Sequence, residues 1–128
     1  GDGPSSWTIH AVVARPRTRE FSTWGTLPGA YVGPAEKQVA VGGKPMWLMR
    51  QLIRDYTRPG DFVCDPTAGG GTTLVAAHKM GRRAIGAEMD LDTYAKAKAR
   101  CDAAERQPLL LAPELELASQ GDLWGQNA

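Results

Sequence analysis

Residues 65–73 read DPTAGGGTT and directly follow the short apolar run FVC at residues 62–64. Three consecutive glycines allow a tight turn and let a ligand approach the backbone closely, because glycine has no Cβ atom. The helical pattern TTLVAAHKM begins at Thr72, and Gly81 marks its end. When a strand leads through a glycine turn into a helix, the first amide groups of the helix have no backbone partner. A carboxylate or phosphate can bind to them.

Helix and strand patterns alternate on both sides of this stretch. A helix with one apolar face is predicted between Lys44-Pro45 and Pro59-Gly60, with Pro45 in its first turn. The run DFVC, residues 61–64, is typical of a parallel strand covered on both faces, which would bury Cys64. The run RAIGA, residues 83–87, predicts a second strand that ends at Glu88.

A third helix is predicted from Leu91 to about Glu105, with Asp90 or Asp92 as its cap. The resulting order is helix, strand, glycine turn, helix, strand, helix. Strands that alternate with helices at this spacing indicate a right-handed βαβ unit and a parallel sheet. The predicted fold class is therefore α/β.

Composition bounds the possible functions only loosely. The chain has 128 residues, 42% hydrophobic and 23% charged, which is typical of one globular domain. A formal net charge of +1 gives no overall attraction to nucleic acid, so any basic surface must be local. Cys64 and Cys101 form no CxxC pair and lie near no histidine, which argues against a metal site and favours reduced thiols in a reducing cytoplasm. No leader-like segment or run of 18 apolar residues is seen, so we expect no membrane association.

The pattern divides the chain into three parts. Residues 1–43 are predicted to form a strand at 7–14 and an irregular arm, 44–106 a cofactor-binding half, and 107–128 a tail that is either a flexible terminus or a segment docking on a partner. The arm contains three alternating arginines, Arg15, Arg17 and Arg19. They either follow a DNA phosphate backbone or form a solvated surface.

The glycine turn matches neither of two familiar phosphate-binding motifs. A dinucleotide fingerprint that starts at Gly69 requires glycine at position 74, which is Leu74, and a Walker loop requires Gly-Lys-Ser/Thr, which does not occur. Glu88 nevertheless lies about 20 residues beyond Gly69 at the tip of the next strand, where an acidic side chain can bind a ribose diol. The combination indicates a nucleoside cofactor.

Residues 42–90, GGKPMWLMRQLIRDYTRPGDFVCDPTAGGGTTLVAAHKMGRRAIGAEMD, closely resemble the DNA amino-methyltransferases, which methylate adenine-N6 or cytosine-N4 with S-adenosylmethionine. The resemblance continues more loosely to residue 106. It implies a Rossmann-like methyltransferase sheet and a place in the cytoplasm of a bacterial or phage-infected cell. It assigns Lys44 to the methionine carboxylate, for which an ordinary solvated cation is the alternative, and Glu88 to the ribose. Thr72 and Thr73 fall at the methionine end, although Thr72 also suits a helix N-cap. The full set of implied cofactor-binding residues is Lys44, Asp65, Pro66, Thr67, Gly69, Gly70, Gly71, Thr72, Thr73 and Glu88.

Two departures from the family pattern are informative. Thr67 stands where the family commonly has phenylalanine after Asp-Pro, which weakens an expected apolar contact. The family's catalytic Asp/Asn/Ser-Pro-Pro-aromatic motif is also absent, since no Pro-Pro pair occurs in the 128 residues. The sequence therefore looks like the C-terminal portion of such an enzyme, inactive alone, with the catalytic residues unknown.

The missing motif leaves several interpretations open. Two or three short apolar strands make too small a sheet, so we expect a neighbouring strand from another polypeptide, from a cleaved or separately encoded N-terminal portion, or from a second copy of this chain. Either of the first two would also contribute the motif. One alternative is a noncatalytic partner subunit of a heteromeric nucleic-acid methyltransferase. Another is an RNA or protein amine methyltransferase, because the part that recognises the target is barely represented.

Overall fold

The computed structural model describes residues 10–14, 27–37 and 43–107. Within them, the order of elements confirms the alternation predicted from the sequence. None of the described helices is both long and apolar enough to cross a membrane. The elements are α1 (Met46–Tyr56), β1 (Phe62–Asp65), α2 (Thr72–Lys79), β2 (Arg83–Gly86) and α3 (Leu91–Glu105).

The two strands pair in parallel, with Phe62 opposite Arg83 and Asp65 opposite Gly86. Parallel strands need a crossover connection, and α2 supplies it. The glycine turn therefore lies at the carboxyl end of β1, beside the residues that follow β2. This is the edge of an α/β sheet at which ligands bind, and the α/β class is confirmed.

The core lies between one face of this sheet and helices α1 and α2. Ile53 of α1 packs there with Ala76 and Ala77 of α2, both fully buried, and partly buried Val63 and Ala84 from the two strands contact them. The alanines allow the backbone of α2 to approach the sheet closely. Helix α3 packs against α2 and has no contact with the strands within the described residues.

The opposite face of the sheet is open, which corrects one prediction. Phe62 is 56% exposed, Ile85 is 55% exposed and Cys64 is exposed as well. Side chains alternate between the faces of a strand, so helices on one face leave every second residue uncovered. The predictions of a strand covered on both faces and of a buried Cys64 are therefore wrong for the described chain.

Local interactions define where the helices begin and end. Asp90 caps α3 by accepting a 2.8 Å hydrogen bond from the Thr93 amide, as predicted. Hydrogen bonding with the Thr93 side chain, and then with this amide, lowers the pKa of the Asp90 carboxyl. Gly81, with a φ of +71°, follows the end of α2. Thr72 is not the cap of α2, because Gly71 occupies that position and Thr72 is the first helical residue. Pro45 immediately precedes α1 instead of lying in its first turn.

The described parts of residues 1–43 have no regular secondary structure. The predicted strand at 7–14 is therefore wrong over residues 10–14, while 7–9 lie outside the described residues. Residues 27–37 nevertheless contact α1. The Tyr31 hydroxyl donates to Asp55 Oδ2 at 2.9 Å, and Trp47 Nε1 donates to the Pro34 carbonyl at 2.8 Å. Burial and the adjacent Asp55 carboxylate raise the pKa of Tyr31, which favours the protonated hydroxyl that donates to Asp55.

We predict that Gly86→Ala destabilises the protein. A Cβ atom there would lie 2.8 Å from the Ala68 Cβ and 3.1 Å from the Asp65 carbonyl oxygen, neither of which is the end of a flexible side chain. Overpacking of this kind costs about 1–3 kcal/mol of unfolding free energy, measurable by urea denaturation. Gly29→Ala is the control, because a Cβ at Gly29 meets no atom within 4 Å. Equal urea midpoints for the two variants would contradict the packing described here.

Candidate cofactor site at the glycine turn

The turn after β1 contains two glycines in the left-handed region, which explains why residues without a side chain occur there. Gly69 has a φ of +51° and Gly71 a φ of +75°. A Cβ at Gly71 would lie 3.2 Å from the Cβ of Ala97 in α3, so this glycine is also required by packing. A Cβ at Gly69 would meet no atom within 4 Å, so the backbone there faces open space that a ligand can enter.

Asp65 shapes the start of the turn. Its Oδ1 accepts a 3.1 Å hydrogen bond from the Thr67 amide, and its carbonyl oxygen accepts one of 3.1 Å from the Ala87 amide. The Ala68 amide in turn donates to the Ala87 carbonyl at 2.8 Å, so backbone bonding continues from the sheet into the turn. Pro66 and Thr67 are exposed. The Asp65 carboxylate therefore acts on the conformation of the loop.

Glu88 links the two strand ends. Its Oε2 accepts a 2.9 Å hydrogen bond from the Gly69 amide, and its Oε1 accepts one of 2.9 Å from the Asp90 amide. A carboxylate has about four acceptor positions, so two bonds leave capacity for two hydroxyl groups of a ligand. The side chain thus holds the loop and can still accept hydrogen bonds from a diol.

A cleft of about 110 Å³ lies at the start of α2. Lys44 and Thr72, both assigned to the methionine end, line it together with Lys37, Glu36 and Arg100. Three cationic side chains and the amide groups of a helix N-terminus favour an anion. Sites for drug-sized ligands typically have about 300–1,000 Å³, so this cleft can hold only part of a nucleoside cofactor.

Thr73 has a different environment from the one expected. Its hydroxyl donates to the sulfur of Met49 in α1 at 3.5 Å, and it is not among the residues that line the cleft. The structure thus brings together Gly69 with Glu88, and Lys44 with Thr72. The predicted DNA-contacting residues, Arg15, Arg17 and Arg19, lie outside the described residues.

Sequence reasoning missed Arg100. Its Nη1 donates to the Gly70 carbonyl and, at 3.3 Å, to the Thr72 hydroxyl, across separations of 30 and 28 residues. Its position in α3 could have suggested this contact. Arg100 lies three residues after Ala97, on the side of the helix whose alanines face α2. Helical periodicity alone does not show which loop an arginine on that side reaches.

The chain matches a family model and is similar to several known proteins. A model of the family described as DNA methylase (N6_N4_Mtase) matches residues 24–99. The chain is similar to the type II methyltransferase M2.DpnII of Streptococcus pneumoniae, with 38% identity over 60 residues, 47% of this chain and 22% of that protein. It is also similar to the type II methyltransferase M.HindIII of Haemophilus influenzae, with 42% identity over 59 residues, 46% and 19% of the two chains.

A solved structure gives a further comparison. The M1.HpyAVI–SAM complex is 29% identical, with a TM-score of 0.49, and the match covers 59% of this chain and 42% of that one. The matched part of the chain spans about a fifth of the length of the curated relatives named above. Because the family model covers more than half of the 128 residues, the chain belongs to the DNA methylase family of N6- and N4-methyltransferases.

Proposed function

We propose that this chain forms the cofactor-binding portion of an S-adenosylmethionine-dependent DNA methyltransferase that acts on adenine-N6 or cytosine-N4. The observation that carries the proposal is Glu88, whose carboxylate holds the amide of Gly69 beside open space at the carboxyl edge of the sheet. Membership of the DNA methylase family supports it, as does the relation to M1.HpyAVI, which was solved with SAM.

The residues at the loop fit S-adenosylmethionine. The remaining acceptor positions of Glu88 suit the two ribose hydroxyls, and the space at Gly69 allows the nucleoside to approach the backbone. Lys44 and the first amides of α2 suit the methionine carboxylate, because Lys44 offers positive charge and the helix N-terminus offers amide donors beside the cleft. Asp65, Pro66, Thr67 and Gly70 complete the proposed loop, and Thr73 contributes through its backbone.

The cofactor, when bound, supplies an electrophilic methyl group on its sulfonium. The residues of this chain orient that donor and bring it close to an acceptor amine, which is catalysis by proximity and orientation. The target amine is a poor nucleophile until acceptors hold its protons and the base stands outside the duplex. We assign those tasks to a motif that these 128 residues lack.

Glu88→Ala tests the proposed cofactor site. We expect S-adenosylmethionine to bind the assembled protein with a free energy weaker by about 1–3 kcal/mol, because the loop amide and the ribose hydroxyls lose their acceptor. Isothermal titration calorimetry measures the change. Glu105→Ala is the matched control, since Glu105 is an exposed carboxylate at the far end of α3. Equal affinities for the Glu88 variant and the wild type would remove Glu88 from the site.

The open side of the sheet supports a partner that carries the missing motif. Within the described residues β1 pairs only with β2, so its other edge has no neighbouring strand. The adjoining face exposes Phe62, Cys64 and Ile85, which we call the open face. Edge strands and apolar faces of this kind are templates for further pairing. We propose that the motif-bearing portion adds a strand to β1 and covers the open face.

Ile85→Asp tests this assembly. A carboxylate placed under a covering apolar layer loses hydration without gaining a partner, so we expect binding of the motif-bearing portion to weaken by about tenfold or more. The fold itself should change little, because the site is exposed. Val32→Asp is the control, since Val32 is 95% exposed and lies outside the open face. Analytical ultracentrifugation that shows the same association for both variants would refute the proposed surface.

The same proposal predicts that the 128-residue chain alone has no methyltransferase activity. It positions the donor but lacks the groups that activate the amine and hold the flipped base. Incubation of the purified chain with tritiated S-adenosylmethionine and mixed-sequence DNA should give background incorporation of label. Addition of the motif-bearing portion should restore transfer. Robust incorporation of label by an intact chain free of any second polypeptide would rule out the proposal that a separate portion activates the amine.

A further inference from the structure

Among the described residues of α3, Arg100 hydrogen-bonds to the glycine turn through its side chain. The residue lies three positions after buried Ala97, whose Cβ already contacts the place where a Gly71 side chain would be. Its Nη1 donates to the carbonyl of Gly70 and to the hydroxyl of Thr72. These two acceptors flank Gly71, the residue at which the chain leaves the turn and enters α2.

This position gives the guanidinium control over the conformation of the turn. Gly69, Gly70 and Gly71 have more backbone freedom than any other residue type, and fixing them costs conformational entropy. One planar group that holds acceptors on both sides of Gly71 restricts the turn and fixes the first residue of the helix. A charged donor also makes a stronger hydrogen bond than a neutral one.

Arg100 also faces the proposed methionine end of the site. It lines the same cleft as Lys44 and Thr72. Both contacts with the loop use Nη1, whereas a guanidinium has five N–H donors in a fixed arrangement. The side chain can therefore hold the loop and add positive charge where a carboxylate would bind.

We propose that Arg100 is a positioning residue that holds the glycine turn and thereby sets the affinity for the amino-acid half of the cofactor. The inference rests on the proposed function for the identity of that cofactor. The inference goes beyond the proposed function by assigning a role to a residue of α3, outside the loop and the strand tip. A structural brace without this role would affect the whole cofactor equally.

Two variants and one control separate these cases. Arg100→Met removes the donors and keeps an unbranched apolar stem, while Arg100→Lys keeps the charge but not the planar group. Lys98→Met removes a cation from the same helix, where Lys98 is 58% exposed and pairs with Asp102 at 2.7 Å. Circular dichroism shows whether each variant is folded, and Arg100→Lys remains informative if Arg100→Met does not fold.

The first readout needs no ligand. Hydrogen–deuterium exchange of the amides at residues 71–73, next to the two acceptors of Arg100, should be about tenfold faster in Arg100→Met than in the wild type, because local opening becomes easier. Exchange in α1 should be unchanged, and Lys98→Met should behave as the wild type. Unchanged exchange of the loop amides in Arg100→Met would overturn the proposal.

The second readout compares two ligands by calorimetry on the assembled protein. Arg100→Met should lower the affinity for S-adenosylmethionine by about tenfold to a hundredfold. The affinity for 5′-methylthioadenosine, which lacks the amino-acid group, should fall by less than about threefold, since adenosine contacts are kept. Arg100→Lys should give intermediate values. Equal losses for the two ligands would reduce Arg100 to a general brace and overturn the proposal.

Failure of the wild type to bind S-adenosylmethionine would instead contradict the proposed function, and loop exchange would still decide the role of Arg100.

Discussion

The hydrogen bond from the Gly69 amide to the Glu88 carboxylate is the constraint on which the candidate site depends. It joins the turn after one strand to the tip of the next. The backbone of Glu88 is placed by the pairing of β2 with β1, so the register of two short strands determines where the carboxylate lies. A slip of one residue would turn each side chain to the other face and would remove the acceptor from the loop.

Much of this arrangement could be predicted because its signals are local. Apolar spacing defines α1, and Asp90 and Gly81 mark helix ends through interactions with neighbouring residues. The glycine turn follows from residues that tolerate a positive φ, as Gly69 and Gly71 confirm. The place of Glu88 beside the turn follows from the geometry of a βαβ unit, in which successive strands end at the same edge.

Other features depend on contacts that no local pattern encodes. The exposure of Cys64 is determined by which layers cover the sheet, and a short apolar run looks the same whether one face or two are covered. Arg100 reaches a carbonyl 30 residues away, and Tyr31 a carboxylate 24 residues away. Residues 10–14 are β-rich but form no strand with any described segment, because strand formation depends on neighbouring strands as well as on composition.

The parallel pairing of Phe62 with Arg83 also bears on how this part of the chain folds. The segment between them is short and contains helix α2, so closing it costs little chain entropy. Such a segment has the properties of a cooperative folding unit, with Ala76 and Ala77 at its centre. The glycine turn belongs to that unit. The proposed cofactor site and this unit therefore share residues, so a change that loosens the unit is also expected to weaken the proposed site.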